Sequence, residues 1–242
     1  MTWKLGVLIA GSLYWNDELY RRSWRTKCLN PDRVTPVKAP IRYGRLSGSG
    51  TYTMVFAPGC PLGEAKAVEC RGRVSSMADV IKQAEALWVA ECRADRKPAA
   101  GESHSAAWGC VALLVNPRSS LPPQFLEQWA ERVSQERCRW QELRTYDSRR
   151  YEVRGMSAIS NNGVLEIPWP DRVDDNRPLD SVDLLLATAT RPTQDATTGD
   201  FPAVEAIAEA WNNANEAKYF RSNREHGFHT FQDAEIEALL RV

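Results

Sequence analysis

The chain has 242 residues, of which 43% are hydrophobic, 9% aromatic and 26% charged. This length suits one large domain or two small ones, and the composition excludes intrinsic disorder as a description of the whole chain. The 31 Lys and Arg residues balance the 31 Asp and Glu residues. No overall charge therefore attracts the chain to nucleic acid or to anionic lipid, and only a local patch could do so.

The apolar run near the N-terminus, residues 5–10, is too short for the core of a signal peptide or for a spanning helix of about 20 residues. We therefore expect a cytoplasmic protein with no membrane partner. The six cysteines are widely spaced and form no C-x-x-C pair. This spacing argues against a zinc knuckle and favours buried thiols.

The first part of the chain is expected to alternate strands, turns and a helix. A strand at 3–10 precedes a Gly-Ser turn and a helix at 17–28. Residues 29–50 are rich in Pro, Gly, Ser and Arg and predict a loop. That loop leads into a strand at 51–57, and a short strand at 66–70 is expected to pair with this strand.

Two amphipathic helices flank a buried strand in the middle of the chain. Ser75 or Ser76 can cap the first helix. Its apolar stripe consists of Val80, Ala84, Leu87 and Trp88. The apolar segment 107–115 predicts a strand covered on both faces, which we place at the centre of the sheet. The second helix begins near Pro122 and continues toward Cys138.

The remainder of the chain gives weaker signals. Strands are expected at 151–158, 163–168 and 181–189. A helix is predicted whose apolar face consists of Val204, Ile207, Ala208 and Trp211. Thr230 with Asp233 forms a capping-box-like start to a last helix.

These elements predict an α/β or α+β fold: a mixed β-sheet or partial barrel with flanking helices and a helical C-terminal extension. We expect residues 1–144 to form the α/β core. Residues 145–242 are expected to add strands and C-terminal helices packed on the same domain.

Two segments could bind an anionic group. Gly11, Ser12 and Leu13 follow the first strand, where backbone N–H groups in a turn can hold a carboxylate or phosphate, although an ordinary tight turn needs the same residues. The G-x-S-x-G elbow of a serine hydrolase is absent around Ser12. Arg42 and Arg45 lie in a glycine-rich segment that lacks the lysine of a phosphate loop, so a mobile loop is the simpler interpretation. Their guanidinium groups could still bind a carboxylate in bidentate fashion.

Other candidate groups have structural interpretations. His226 and His229 form an H-x-x-H pair, but a loop entering a helix seldom makes such a pair converge, so no metal site is expected. Arg21, Arg22 and Arg25 are interleaved with aromatic residues, as in some nucleic-acid patches. The balanced total charge favours a solvated helix face instead, and nucleic acid is not expected as a partner.

Two segments together resemble the γ-glutamylcyclotransferase-like superfamily. The sequence LIAGSLYW at 8–15 is similar to that family's first strand and Tyr-Gly-Ser-x-Leu loop. The sequence AWGCVALLVNPRSSLPPQFLEQW at 107–129 is similar to its Trp-Gly strand, short turn and acid-bearing segment. The resemblance implies that the loop amides bind a γ-glutamyl group and that Glu127 is the acid–base residue; a small shift of the alignment places Trp129 there instead.

The leading hypothesis is therefore an enzyme acting on γ-glutamyl or similar amides. Glu127 would take a proton from the substrate α-amine and return it to the leaving nitrogen, which releases 5-oxoproline. The resemblance implies no metal or organic cofactor. The alternative is a non-catalytic protein of the same fold that binds a small molecule or a partner chain, and the sequence does not indicate an oligomeric state.

Overall fold

The computed structural model describes residues 2–92, 105–106, 108–135, 146–214 and 217–240. The strands are β1 Trp3–Ile9, β2 Leu29–Ala39, β3 Ile41–Leu46, β4 Tyr52–Phe56, β5 Gly63–Val74, β6 Ser105–Ala106, β7 Gly109–Val115, β8 Glu152–Val153, β9 Met156–Ser157, β10 Asp171–Arg172 and β11 Leu184–Thr190. The helices are α1 Leu19–Cys28, α2 Met77–Cys92, α3 Gln124–Ser134, α4 Val204–Ala214, α5 Ala217–Glu225 and α6 Asp233–Leu239.

A mixed sheet forms the centre of the fold. Its strand order is β10-β2-β5-β1-β11-β7-β6, and the hairpins β3–β4 and β8–β9 are separate. Only β1 and β11 run parallel in this sheet, as far as its described strands go, and the other neighbours are antiparallel. The expected mixed sheet with flanking helices is confirmed, whereas these strands do not close into a barrel.

The expected position of the segment 107–115 is wrong. Its strand, β7, lies next to the two-residue edge strand β6, and the central strand is β1. β11 separates β1 from β7 and pairs with β7 from Leu184 to Thr190. The apolar run in β7 indicates only that both faces of the strand are buried. A strand near a covered edge of the sheet is also buried on both faces, so the pattern could not place β7 at the centre.

The expected loop at 29–50 is also wrong, because most of it forms β2 and β3. Pro31 and Pro36 are tolerated in β2 because, within the described residues, its outer side pairs only with β10, at Val37 and Lys38. β5 pairs with β1 and β2, and β4 pairs with β3 instead of with β5. The pairing expected between the strands at 51–57 and 66–70 is therefore corrected as well.

Two further segments contain much less strand than the sequence predicts. The segment 151–158 contains only the β8–β9 hairpin, whose turn residues Arg154 and Gly155 have φ of 53° and 76°. The segment 163–168 contributes isolated bridges at Val164 and Leu165. By contrast, the buried strand expected at 181–189 is confirmed as β11.

The helices position their apolar faces as expected. Val80, Ala84 and Leu87 are fully buried on α2, and Trp88 is 6% exposed. Ile207, Ala208 and Trp211 are buried on α4. No helix in the described part of the chain has both the length and the apolar character to span a membrane.

Candidate functional site

A cavity of about 730 Å³ lies at the ends of β1 and β11. Because these two strands run parallel, the turn after β1 and the last residues of β11 meet at the same edge of the sheet. The β3–β4 hairpin, the last turn of α2, Trp108 and the first turn of α5 supply further parts of the wall. The residues that line it thus come from distant parts of the chain.

The turn after β1 forms one wall of the cavity. The Tyr14 N–H donates to the Gly11 carbonyl at 3.1 Å, and the Asn16 N–H donates to the Ser12 carbonyl at 2.8 Å. Gly11 has a φ of 102°, and a Cβ atom there would lie 2.8 Å from the Tyr219 hydroxyl. A glycine is therefore required at this position. Ser12 and Leu13 line the cavity as the turn passes it.

A nearly buried ion pair connects this turn to α2. Arg21 Nη1 donates to Ser12 Oγ at 3.0 Å, and Arg21 Nη2 lies 3.1 Å from Glu91 Oε2. The Arg21 and Glu91 side chains are 10% and 13% exposed. All three residues line the cavity, so Ser12 is held by a guanidinium group whose charge is balanced by a carboxylate.

The arginine cluster on α1 is not the solvated face that the sequence suggested. Arg21 points inward, and Arg25 Nη1 donates to the carbonyls of Leu13 and Asn16 at 2.9 and 2.7 Å. Of the three, Arg22 is the exposed one. Helix α1 packs against α2, which turns two of its arginines toward the carbonyls and the carboxylate that neutralise them. The cluster is therefore not a free cationic patch.

Arg45 reaches the cavity through an irregularity in the β3–β4 hairpin. The register shifts by one residue between the pairs Tyr43–Met54 and Arg45–Thr53, which leaves Gly44 as the extra residue. Tyr43 and Arg45 consequently face opposite sides of the hairpin, although they are two residues apart. Tyr43 is fully buried, whereas Arg45 is half-buried at the cavity wall.

The Arg45 guanidinium lies over one of two stacked tryptophan rings. Its Cζ lies 4.8 Å from the centre of the Trp108 ring. Trp108 stacks in turn on Trp88, with ring centroids 4.8 Å apart and an interplanar angle of 24°. Burial lowers the pKa of Arg45, and the nearby Glu91 carboxylate opposes this shift. Arginine remains cationic at neutral pH.

Arg42 lies outside the cavity. Its Cζ is 4.3 Å from the centre of the Phe201 ring and 5.5 Å from that of Phe231, and its Nη2 donates to the Pro202 carbonyl at 3.3 Å. These contacts are typical of a structural cation–π arrangement. The structure therefore separates the two arginines that the sequence grouped together, and only Arg45 belongs to the candidate site.

β11 contributes two hydroxyl groups that the sequence analysis missed. Thr188 and Thr190 are two residues apart, so they share one face of the strand, and both line the cavity. Among the described residues, neither Oγ1 atom has a hydrogen-bond partner, and the same holds for Arg21 Nε. Two threonines at the end of an otherwise apolar strand were the signal available in the sequence.

α5 closes the cavity with an aromatic residue that no local pattern indicated. Tyr219 lines the wall, and burial raises its pKa. Its ring lies 5.7 Å from that of Trp15, and Trp15 Nε1 donates to Asn223 Oδ1 at 2.8 Å. The turn after β1 and helix α5 are thus joined by a hydrogen bond and by aromatic contacts.

Comparison with protein-family models, with curated proteins and with solved structures finds no match for this chain. The resemblance to the γ-glutamylcyclotransferase-like superfamily therefore stays a prediction.

Glu127 is not among the residues that line the cavity. It lies exposed on α3, whose inward face carries Phe125, Trp129 and Val133. Trp129 is fully buried, and its Nε1 donates to the Gly163 carbonyl at 3.1 Å. The structure therefore does not bring Glu127 or Trp129 to the Ser12 turn, and Glu91 is the carboxylate that the described cavity wall contains.

Neither the histidines nor the cysteines form a reactive centre in the described residues. His226 Nδ1 lies 2.7 Å from the Ser222 carbonyl, and His229 Nδ1 lies 3.4 Å from Asp233 Oδ2. The described residues contain no group of three or more potential metal ligands. Cys92 lines the cavity, but burial raises the pKa of its thiol to about 12, so it is protonated at neutral pH.

Among the described cysteines, one is buried as predicted and the other four are only half-buried. Cys110 is buried, whereas Cys28, Cys60, Cys70 and Cys92 are half-buried and free. Cys138 lies outside the described residues.

Proposed function

We propose that this protein binds a small, polar, amino-acid-derived molecule in the cavity between the Ser12 turn and β11. The observation that carries the proposal is the set of unpaired buried polar atoms on the wall: the hydroxyls of Thr188 and Thr190 and the Nε of Arg21. A buried polar group without a partner costs about 1–3 kcal/mol. These atoms are themselves buried, so a polar ligand recovers that free energy when rotation of the threonine side chains turns their hydroxyls toward the cavity.

A second candidate function is cyclisation of γ-glutamyl amides, and one observation favours it: Glu91 lines the same cavity as the Ser12 turn. In this reaction the substrate α-amine nitrogen attacks the γ-carbonyl carbon, and the bond to the leaving nitrogen breaks. Glu91 would accept the proton of the α-amine and return it to the leaving amine. The Glu91 carboxylate is already engaged by Arg21 at 3.1 Å, which is why binding is the first proposal.

The test uses a panel of glutamate, glutamine and γ-glutamyl dipeptides. We expect at least one of them to raise the melting temperature of the wild type in a saturable manner, because a ligand that binds only the folded state stabilises it. Absence of a saturable shift across the panel would contradict the binding proposal.

The same samples are analysed for 5-oxoproline, which decides between the two candidates. Binding without product supports the first candidate. Product that disappears in Glu91→Gln and persists in the matched variant Glu127→Gln supports the second. Product lost only in Glu127→Gln would overturn the assignment to Glu91 and restore the role that the resemblance implied.

A further inference from the structure

The charges on the cavity wall are unbalanced. The described lining residues include three cationic side chains, Arg21, Arg45 and Lys218, and one carboxylate, Glu91. That carboxylate is already paired with Arg21. The described wall therefore carries a net excess of two positive charges, which makes the cavity complementary to an anion.

Arg45 is the better placed of these two cations. No carboxylate of the described chain lies within ion-pair distance of its guanidinium. The guanidinium lies over the Trp108 ring, with Cζ 4.8 Å from the ring centre, and this contact restricts the side chain at the cavity wall. Its planar fork of N–H donors can bind a carboxylate or phosphate in bidentate geometry. Lys218 is exposed on α5 and has no comparable support.

The hairpin loop next to Arg45 adds hydroxyl groups to the same wall. Ser47, Ser49 and Thr51 line the cavity. Their hydroxyls are 2.7 to 3.0 Å apart and hydrogen-bond to one another. A hydroxyl rotates freely and can donate to an anion instead of to its neighbour, so this group of three can supplement the guanidinium.

We infer that the ligand of this cavity is an anion, and that Arg45, held against Trp108, binds its carboxylate or phosphate group. The inference rests on the proposed binding function and specifies the class of ligand. The interaction is a charge-assisted hydrogen bond in a half-buried position, so it contributes more to affinity than the same contact at an exposed arginine.

The experiment measures binding of three probes by calorimetry and by thermal shift: glutarate, inorganic phosphate and glutaramide, the neutral diamide of glutarate. The variants are Arg45→Met, which keeps an apolar stem for contact with Trp108, and Arg45→Lys, which keeps the charge but removes the planar fork. Arg22→Met is the matched control, because Arg22 is an exposed arginine of α1 that does not line the cavity. Circular dichroism and the unliganded melting temperature check that each variant folds.

We expect glutarate or phosphate to bind the wild type and Arg22→Met equally. Arg45→Met should weaken that binding by about tenfold or more, and Arg45→Lys by less. Binding of glutarate alone identifies a carboxylate as the ligand group, and binding of phosphate alone identifies a phosphate.

Two results would overturn the inference, and they are distinguishable. If glutaramide binds as tightly as glutarate and Arg45→Met changes neither affinity, the ligand is not recognised as an anion, while the proposed binding function stands. If neither these probes nor the amino-acid-derived panel binds, both the inference and the proposed function fail.

Discussion

At the scale of single residues, the unpaired hydroxyls on β11 make the sharpest prediction. Thr188→Val replaces a hydroxyl that has no partner among the described residues by a methyl group of similar size. We expect the free energy of unfolding of the unliganded protein to stay equal or to rise by up to about 1 kcal/mol, because the penalty of an unpaired buried group is removed. Affinity for the ligand should fall by about three- to tenfold, because one hydrogen bond is lost.

Urea denaturation and calorimetry with the most stabilising compound of the panel check both effects. Thr35→Val is the matched control, since Thr35 lies on β2, outside the cavity. A bound water could satisfy the same hydroxyl. If water alone did so, Thr188→Val would leave ligand affinity unchanged, and that result would contradict the role given to β11.

At the scale of elements, the start of α2 is a capping box. Ser76 Oγ accepts from the Asp79 N–H at 3.3 Å, and Asp79 Oδ2 accepts from the N–H groups of Ser75 and Ser76 at 2.9 and 3.0 Å. The hydrogen bond from the Ser75 backbone, followed by those from the hydroxyls of Ser76 and Ser75, lowers the pKa of Asp79 below its ordinary value of 3.8. This confirms the cap that the sequence placed at Ser75 or Ser76.

The direction of this shift gives a pH dependence. Because the pKa of Asp79 is lower in the folded state, its carboxylate stabilises the fold above pH 3.8, and this contribution is lost as the pH falls through the folded-state pKa. We therefore expect Asp79→Asn to be less stable than the wild type at pH 7 and the difference to shrink toward pH 2. Denaturant titrations across that range measure it, with the exposed Asp174→Asn as control. A difference that is independent of pH would refute the explanation.

The last helix shows a different result at the same scale. Thr230 Oγ1 donates to Asp233 Oδ1 at 2.6 Å, so the two predicted residues do meet. The capping bond from a backbone N–H of α6 to a side chain is absent from the described start of that helix, which follows Gln232. The sequence pattern thus identified two side chains that do contact each other. Their hydrogen bond joins side chain to side chain, however, whereas the capping box at α2 also binds backbone N–H groups.

At the scale of the whole molecule, the sheet depends on both halves of the chain. β11 comes from residues 145–242 and lies between β1 and β7, which come from residues 1–144. Leu184, Leu185, Leu186 and Ala187 are all fully buried. Consecutive residues of a strand point to opposite faces, so both faces of β11 are covered.

We therefore expect the fragment 1–144 not to fold by itself, because it would expose edges of β1 and β7 that are buried in the complete sheet. Circular dichroism and the dispersion of NMR signals measure this, with the full chain as reference. Mixing it with the fragment 145–242 is the control, since complementation should restore the signals of the full chain. Cooperative unfolding of 1–144 alone would show that β11 is dispensable.

Features that depend on near neighbours in the chain were predictable from the amino-acid sequence. The strand β1 and the Gly11 turn follow from an apolar run and a glycine, and the apolar face and cap of α2 follow from helical spacing. β11 was recognisable because its apolar run is long enough to require burial on both faces. In each case the signal lies within one element, where periodicity is set by backbone geometry.

Which residues share the cavity depends on the packing of distant segments and could not be predicted from the sequence. Arg45 and Arg42 are close in sequence but contact different groups, because a one-residue register shift reorients the strand at Gly44. Glu91 reaches the Ser12 turn, whereas Glu127 stays on the exposed side of α3. Strand order and side-chain direction are set by contacts between distant segments. The spacing of apolar residues within one segment does not give the free energy of its contacts with another segment.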